Sequence, residues 1–194
     1  AQAGKALNTA VLAARLQKKE AMDRVGYLQS AHLQPPVDPL TGEAAARRRN
    51  EMLWLLSRGV RAQPNMDWTG ADLSGLDLRG LDLSGAWLES ANLSGANLSG
   101  AKLTGTVLAH ANLSGCMLID ATLVGANLGG AHLAGAVFDQ SDLSGATLSR
   151  CTLAQTQCRK TRLPGAQLME TAWGPADWTG ADTLNGGEGA DTFV

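Results

Sequence analysis

The chain has 194 residues, a formal net charge of −2 and an aromatic content of 4%. So small a net charge excludes the strong field that attracts nucleic acid or an anionic membrane, and no apolar run approaches the ~20 residues of a membrane span. So few aromatic residues suit a core built from leucine and alanine.

The first predicted element is a helix from about Lys5 to Gln29, where apolar residues alternate at spacings of four and three. The positions of this seam are Leu7, Val11, Ala14, Lys18, Ala21, Val25 and Leu28. Lys18 interrupts the seam and large residues are scarce, so a long coiled-coil dimer is disfavoured. We expect this helix to dock on its own chain or on a neighbouring domain; mimicry of a partner helix is the alternative.

A linker and a second helix follow. Three prolines within the linker at Gln34–Pro39 forbid a helix there. The second helix is predicted from about Gly42 to Ser57, with Thr41 or Asp38 as its N-cap and Gly59 as its end.

The apolar end of the second helix is expected to cap the region that follows. Leu53 and Trp54 are predicted to plug its N-terminal opening, since the first coil of a repeat array needs a cover. The same helix carries Arg47, Arg48 and Arg49. Residues 1–66 hold ten basic and five acidic side chains, a net +5, whereas residues 67–178 hold six basic and ten acidic, a net −4. We expect these arginines to pair with the acidic start of the repeats; an anion or partner site is the alternative.

Residues 67–180 repeat a unit of five, seen most clearly in Ala91–Gly95 and Ala96–Gly100. The central position occurs 23 times from 68 to 178 and is leucine in 18 units, with a small residue two before it in 20 and glycine two after it in 14. Neither a helix nor a long strand places residues five apart on one face. A short extended segment followed by a corner does, which predicts an all-β solenoid with a leucine core.

These units resemble the pentapeptide-repeat family, whose consensus is A(D/N)LXX, in tracts such as Ala71–Gly75 and Ala111–Gly115. The resemblance implies a right-handed quadrilateral β-helix with four units per coil, preceded here by two α-helices. It divides the chain into a helical extension and cap at 1–65, the β-helix at 66–180 and a glycine-rich tail at 181–194. With ~4.8 Å between coils, the rod is roughly 27 Å long.

Outward residues 20 apart are expected to stack in ladders along this rod. Met117 and Val137, with Ile119 beside them, form an apolar spot that we name the methionine patch, a candidate partner-binding surface. Trp87 and Val107 stack in the same way on the opposite face and are a second candidate.

The same register separates inward from outward side chains. Leu123 is predicted to lie in the core, so its replacement by alanine should destabilise the protein by about 2–5 kcal/mol. Asn127 is predicted to point outward, so its replacement should cost little.

Several inward positions carry residues other than leucine. Cys116, Cys151 and Cys158 have no metal-site spacing and are expected to be buried structural thiols. Unpaired cysteines favour a reducing compartment and hence the cytoplasm. Because the chain begins at Ala1, secretion after removal of a signal peptide is the alternative. Trp68, Trp173 and Trp178 are expected to seal the two ends of the core.

The tail departs from the period of five. Gly186–Val194 matches the calcium-binding nonapeptide repeat GGxGxDxUx in full, and the preceding nine residues match it in part. In that family calcium lies between successive turns. Two interpretations remain, a C-terminal cap and the start of a calcium-dependent region; no other cofactor is expected.

No catalytic arrangement is evident, because His32, His110 and His132 are dispersed and the serines and glycines follow the repeat. We therefore expect a non-enzymatic interaction scaffold with a protein partner. A basic helical segment before such an array resembles accessory proteins of bacterial type VI secretion, which implies an adaptor role.

Two alternatives to the scaffold remain. Some family members mimic DNA and act on DNA gyrase, but a duplex carries one charge per ~1.7 Å, so this rod would need ~16 negative charges. The repeats carry a net −4, which disfavours mimicry. The other alternative is a fragment of a secreted protein with a calcium-binding region after residue 180.

Overall fold

The computed structural model describes residues 24–181, which form a solenoid preceded by two helices. Helix α1 spans Arg24–Ser30 and continues into a 3-10 helix at Ala31–Leu33, and helix α2 spans Gly42–Ser57. The bounds of α2 are those predicted. The helix predicted over Lys5–Gln29 is confirmed for its last residues and otherwise lies outside the described residues.

The ends of α2 follow the expected chemistry only in part. Thr41 occupies the N-cap position but makes no side-chain hydrogen bond there. At the other end Gly59 has a φ of +69°, a conformation that glycine adopts without strain. Gly59 N–H donates to Leu56 O and Val60 N–H to Leu55 O, both at 3.0 Å. This pair of bonds is a Schellman motif, which ends the helix and turns the chain into the first coil.

The solenoid is built from parallel β-bridges between residues 20 apart, from Ala62 with Asp82 to Gln157 with Asp177. Twenty residues are four units, so the predicted four-sided coil is confirmed, while its right-handed sense stays a prediction. Each bridge is isolated because a unit is extended for only a few residues before its corner. The bridges begin one unit earlier than the leucine pattern, and Gln63 takes an inward position with 4% of its surface exposed.

Four units per coil give the solenoid four faces, each with a ladder of bridged residues. Face 1 carries Asp67, Trp87, Val107, Asn127, Thr147 and Gln167. Face 2 carries Asp72, Asn92, Asn112, His132, Thr152 and Ala172. Face 3 carries Asp77, Asn97, Met117, Val137, Gln157 and Asp177. Face 4 carries Ala62, Asp82, Lys102, Thr122, Asp142 and Arg162.

The corners use left-handed backbone conformations. Of the 23 units counted in the sequence, 22 have a positive φ two residues after the central position. The exception is Pro175, whose ring holds φ near −65°; Gly174, with a φ of 52°, makes that turn instead. The period of five is therefore a period of corners, which explains why glycine is so frequent there.

Asp and Asn before the central residue close the same corners. The Asp72 carboxylate accepts the Ser74 N–H at 3.1 Å, and Asn112 accepts the Ser114 N–H at the same distance. Such Asx turns satisfy a backbone donor that no neighbouring coil reaches. The polar residue of the consensus thus has a structural role before any role in binding.

Inward side chains form one continuous core along the rod, in which Leu123 is fully buried. Cys116, Cys151 and Cys158 are free and buried, and burial raises the pKa of each thiol to about 12. The prediction of structural thiols is therefore confirmed.

The tryptophans at inward positions lie near the two ends of the core, as predicted. Trp68 is fully buried. Trp173 and Trp178 are partly buried against the last leucines, with their ring centroids 5.5 Å apart.

The predicted plug at the N-terminal opening is wrong in its residues. Met52 is fully buried and belongs to the core, and Leu55 and Leu56 pack against it, whereas Leu53 and Trp54 are 43% and 57% exposed. Positions 52, 55 and 56 share one face of a helix, while 53 and 54 lie on the other side. The helix covers the coil as expected, but through the opposite face. None of the described helices is long and apolar enough to cross a membrane.

Candidate partner-binding surfaces

Face 1 is covered by the segment that precedes it, which we name the strap, residues 24–40. The Tyr27 ring lies 5.1 Å from the Trp87 ring, and Val107 is only 3% exposed beneath it. Ala31 is fully buried in the same cluster. The prediction that Trp87 and Val107 form an open partner surface is therefore wrong, because α1 of the same chain occupies it. The expectation that this helix docks on its own chain is confirmed for the described part.

Backbone and side-chain hydrogen bonds hold the strap along the corner that follows face 1. From the first coil onward they are Leu40 N–H to Gly70 O at 2.9 Å, Val37 N–H to Ser90 Oγ at 2.9 Å, and His110 Nε2 with Gln34 O at 3.0 Å. These acceptors and donors lie 20 residues apart on the solenoid, so the strap meets one coil after another. The proline linker is thus a fixed extended segment in this structure.

A buried carboxyl group anchors α1. Glu89 is 1% exposed, and Tyr27 Oη donates a hydrogen bond to its Oε2 at 2.5 Å. A buried carboxyl group is costly unless it is hydrogen-bonded. Tyr27 therefore contributes both apolar contact with Trp87 and a partner for Glu89.

Asn127 connects the strap to the solenoid on the last coil that the strap contacts, far from the contact at Gly70. Its Oδ1 accepts the Gly129 N–H at 2.9 Å, and its Nδ2 donates to Leu28 O at 2.6 Å and lies 3.3 Å from His32 Nδ1. Asn127 is 1% exposed. The prediction that its side chain points to solvent and is cheap to replace is wrong, because the strap covers it.

His32 lies so close to Gly129, at the corner of face 1, that a residue with a side chain would not fit at position 129. A Cβ added to Gly129 would lie 2.2 Å from His32 Cβ. Burial lowers the pKa of His32 from its usual range, and the positive charge of Arg150 and the nearby His110 lower it further. Two of the three dispersed histidines are thus brought together by the strap.

The methionine patch is open. Met117 is 38% exposed, and Ile119 and Val137 are partly exposed. Met117 bridges Val137 on the next coil, so the predicted stacking of outward neighbours is confirmed. Beside the patch, Asp139 forms an ion pair with Arg159 at 2.6 Å. A partner role for the patch stays a prediction.

Two of the three consecutive arginines are engaged within the chain. Arg49 lies 3.7 Å from the Asp72 carboxylate and donates to the carbonyl oxygens of Asp72 at 3.2 Å and Ser74 at 2.9 Å, so the expected pairing with the acidic first coil is confirmed for this residue. Arg48 pairs with Glu51 at 2.9 Å and lies 5.7 Å from the Trp68 ring centroid.

Arg47 stays exposed on the outer side of α2. Trp54 is exposed on the same side, with the guanidinium of Arg58 5.2 Å from its ring centroid. Within residues 24–181, no three His, Cys, Asp or Glu side chains are grouped as a metal site requires. The tail that resembles the calcium-binding repeat lies outside the described residues from 182 onward.

Solved structures similar to this chain include two pentapeptide repeat proteins. A pentapeptide repeat protein from Nostoc PCC 7120 is 23% identical with a TM-score of 0.42, and the match covers 73% of this chain and 90% of that one. One from the thylakoid lumen of Arabidopsis thaliana is 26% identical with a TM-score of 0.28 over 58% of this chain. QnrB1, a plasmid-mediated fluoroquinolone resistance protein, is 22% identical with a TM-score of 0.36 over 64% of this chain.

The chain spans 65% of the Arabidopsis protein and 62% of QnrB1. No curated protein sequence matches the chain. The family model described as pentapeptide repeats matches in eight copies over residues 65–95, 96–135 and 131–168. With more than half of its length matched, and with coils of four five-residue units, the chain belongs to the pentapeptide repeat family.

Proposed function

We propose that this chain is a non-enzymatic interaction scaffold that presents the methionine patch to a protein partner. One contrast carries the proposal. The apolar residues of face 1 are covered by the strap, whereas Met117 on face 3 is 38% exposed and stacks on Val137 with no such cover from the described residues.

The chemistry of face 3 suits a flat partner surface with an apolar centre and a polar rim. The ladder places Asn97 before Met117 and Gln157 after Val137, so the patch has polar neighbours at both ends. Interfaces in general bury an apolar centre and keep polar groups at the edge. Because three side chains bury little area, affinity requires hydrogen bonds from these neighbours as well.

The finer role that we propose is that of an adaptor or accessory of a bacterial secretion system, acting in the cytoplasm. The solenoid that presents the patch is proposed to be right-handed. The support for the adaptor role is the basic helical segment before the array. Arg48 and Arg49 make contacts within the chain. Of the three arginines predicted as a partner site, Arg47 is therefore the one that we propose contacts the partner, because it is exposed.

Site-specific photocrosslinking tests the proposal. A photoreactive amino acid at Met117 is expected to crosslink a protein of the native host, and the same probe at Lys102, exposed on face 4, is the matched control. The Met117→Ser, Ile119→Ser, Val137→Ser variant should lose the partner, whereas Lys102→Ser with Thr122→Ser should keep it. Equal capture by both multiple variants would rule out face 3.

Two further assays address the alternatives. We expect no inhibition of gyrase supercoiling, since the net −4 of the repeats is far below the ~16 charges of a duplex of this length; strong inhibition would restore the DNA-mimic alternative. A rise in melting temperature on calcium addition would instead favour the calcium-binding fragment.

A further inference from the structure

We infer that the strap is a proton-sensitive latch on face 1, held by neutral His32 and released when that imidazole takes up a second proton. This inference goes beyond the proposed function and does not depend on a partner for face 3. It concerns the state of face 1, which the strap closes or opens.

The hydrogen bonds of Asn127 determine whether His32 Nδ1 carries a proton. Because Asn127 Oδ1 accepts the Gly129 N–H, the other amide atom is the nitrogen, and it donates to Leu28 O at 2.6 Å. The same nitrogen lies 3.3 Å from His32 Nδ1. An amide nitrogen only donates, so Nδ1 must accept and carry no proton. Protonation of His32 would set one donor against another.

The surroundings of His32 oppose a positive charge. Burial lowers the pKa of His32 most, and Arg150 and His110 on the solenoid lower it further. Arg150 itself pairs with Glu170 at 2.8 Å. The other charged or titratable groups along the strap lie farther away: Glu89, which binds Tyr27, is two coils from Gly129, and Asp38 lies beside Gly70, three coils away. His110 Nε2 lies 3.0 Å from Gln34 O, a bond in which the nitrogen donates in either charge state. His32, not His110, is therefore the group whose hydrogen bond is lost on protonation.

The space around His32 leaves the strap little freedom to adapt. A Cβ on Gly129 would overlap His32 Cβ at 2.2 Å, so the ring lies directly against backbone. A protonated ring cannot turn away from Asn127 unless the strap itself moves. Movement of the strap would expose Val107 and the ring of Trp87, which are packed against it.

The direction of the pH effect follows from the lowered pKa of His32. A base whose pKa is lower in the docked state stabilises docking fully above its ordinary value near 6.5. That contribution is lost as the pH falls below this value, because the released strap binds the proton more tightly. The strap is therefore expected to be docked at neutral pH and released on acidification.

Spin labelling of the full chain tests the latch. A label at Gln29→Cys lies on the exposed side of α1, and the native thiols, buried with pKa values of about 12, should not react with the reagent. We expect an immobilised spectrum at about pH 7.5 and a growing mobile component towards about pH 5. The same label at Lys102→Cys on face 4 should show no such change.

His32→Gln separates the latch from general acid unfolding. Its Oε1 can accept from Asn127 Nδ2 but does not titrate, so the mobile component should be absent at both pH values. If this variant is mobile at neutral pH because glutamine fits poorly, Arg150→Gln decides. Loss of that charge should move release to lower pH.

Three results would overturn the inference. They are equal label mobility at both pH values in the parent, an acid-induced change that persists in His32→Gln, and a release midpoint unaltered by Arg150→Gln.

Discussion

Faces 1 and 3 carry apolar residues at the same position of the same repeat, yet one face is covered and the other is open. Val107 and Val137 occupy equivalent places in their ladders, but Val107 is 3% exposed and Val137 remains partly exposed. The backbone of a repeat is nearly the same on every side. The difference in exposure therefore arises from the outward side chains and from the strap that packs on them, not from the backbone of the solenoid.

Compared with face 3, small residues let the strap approach face 1 closely. Ala109 and Gly129 stand at its turn positions, whereas face 3 carries Ile119 and Asp139 there. A helix can approach a backbone closely only where side chains are small. Gly129 makes this explicit, since any side chain there would collide with His32.

The largest effect that we expect lies beneath both faces. Leu123→Ala should lower the free energy of unfolding by about 2–5 kcal/mol, because a fully buried leucine leaves a cavity in the stacked core. Urea denaturation followed by tryptophan fluorescence measures it. The neighbouring outward change Thr122→Ala is the control and should cost about 0.5 kcal/mol or less. Equal costs would show that the inward and outward assignment is wrong.

A valine pair tests the comparison of the two faces itself. Val107→Ser should cost about 1.5–3 kcal/mol, since it removes a side chain buried under the strap. Val137→Ser, the same substitution on face 3, should stay within about 0.5 kcal/mol. Hydrogen exchange of residues 27–33 and urea denaturation would together detect loss of the strap and of the rod. A similar cost at both valines would mean that face 1 is not covered in solution.

An asparagine pair makes the comparison sharper. Asn127→Ala should cost about 1–3 kcal/mol because Leu28 O and Gly129 N–H lose a buried partner. Asn112→Ala on face 2 loses only the turn bond to Ser114, worth about 0.5–1.5 kcal/mol. Thermal and urea unfolding of both variants give the difference. Equal costs at Asn112 and Asn127 would contradict the burial of Asn127 beneath the strap.

The smallest effect concerns the ion pair beside the methionine patch. Asp139→Asn removes the negative charge that pairs with Arg159, whose side chain is 51% exposed. Because Arg159 is half exposed, solvent weakens the ion pair, and the free energy of unfolding should fall by about 0.2–1 kcal/mol, less at high salt. Melting temperatures at low and high salt measure it, with Asp120→Asn, one coil away at an exposed corner, as the control. A loss well above this range would indicate that face 3 is held by more than its ladder.

Much of the rod is predictable from its sequence, because every unit repeats the same local conformation, a short extended segment followed by a corner. The residues of the corners, the leucine sites and the Asx turns act within a few positions of themselves, so a period of five carries their structure directly. Met117 and Val137 become neighbours by counting alone. The burial of Cys116 follows in the same way from its inward position.

The strap and the cap required information that no local pattern contains. Docking of α1 depends on the shape left by Ala109 and Gly129, which the consensus treats as ordinary variable positions. The inward face of α2 depends on the angle at which Gly59 turns the chain into the first coil. For that reason Met52 could not be chosen over Trp54 from hydrophobicity, since the larger residue is the exposed one.

Hydrogen exchange of the strap tests the central claim most directly. In the parent chain at neutral pH, amides of residues 24–33 should be protected well beyond a free peptide. In Gly129→Ala, which would set a Cβ 2.2 Å from His32 Cβ, they should exchange rapidly while the solenoid stays protected. Ala134→Val, the same turn position on exposed face 2, should leave the strap protected. Strap amides in the parent that exchange as fast as a free peptide, beside a protected solenoid, would contradict a face 1 closed by its own chain.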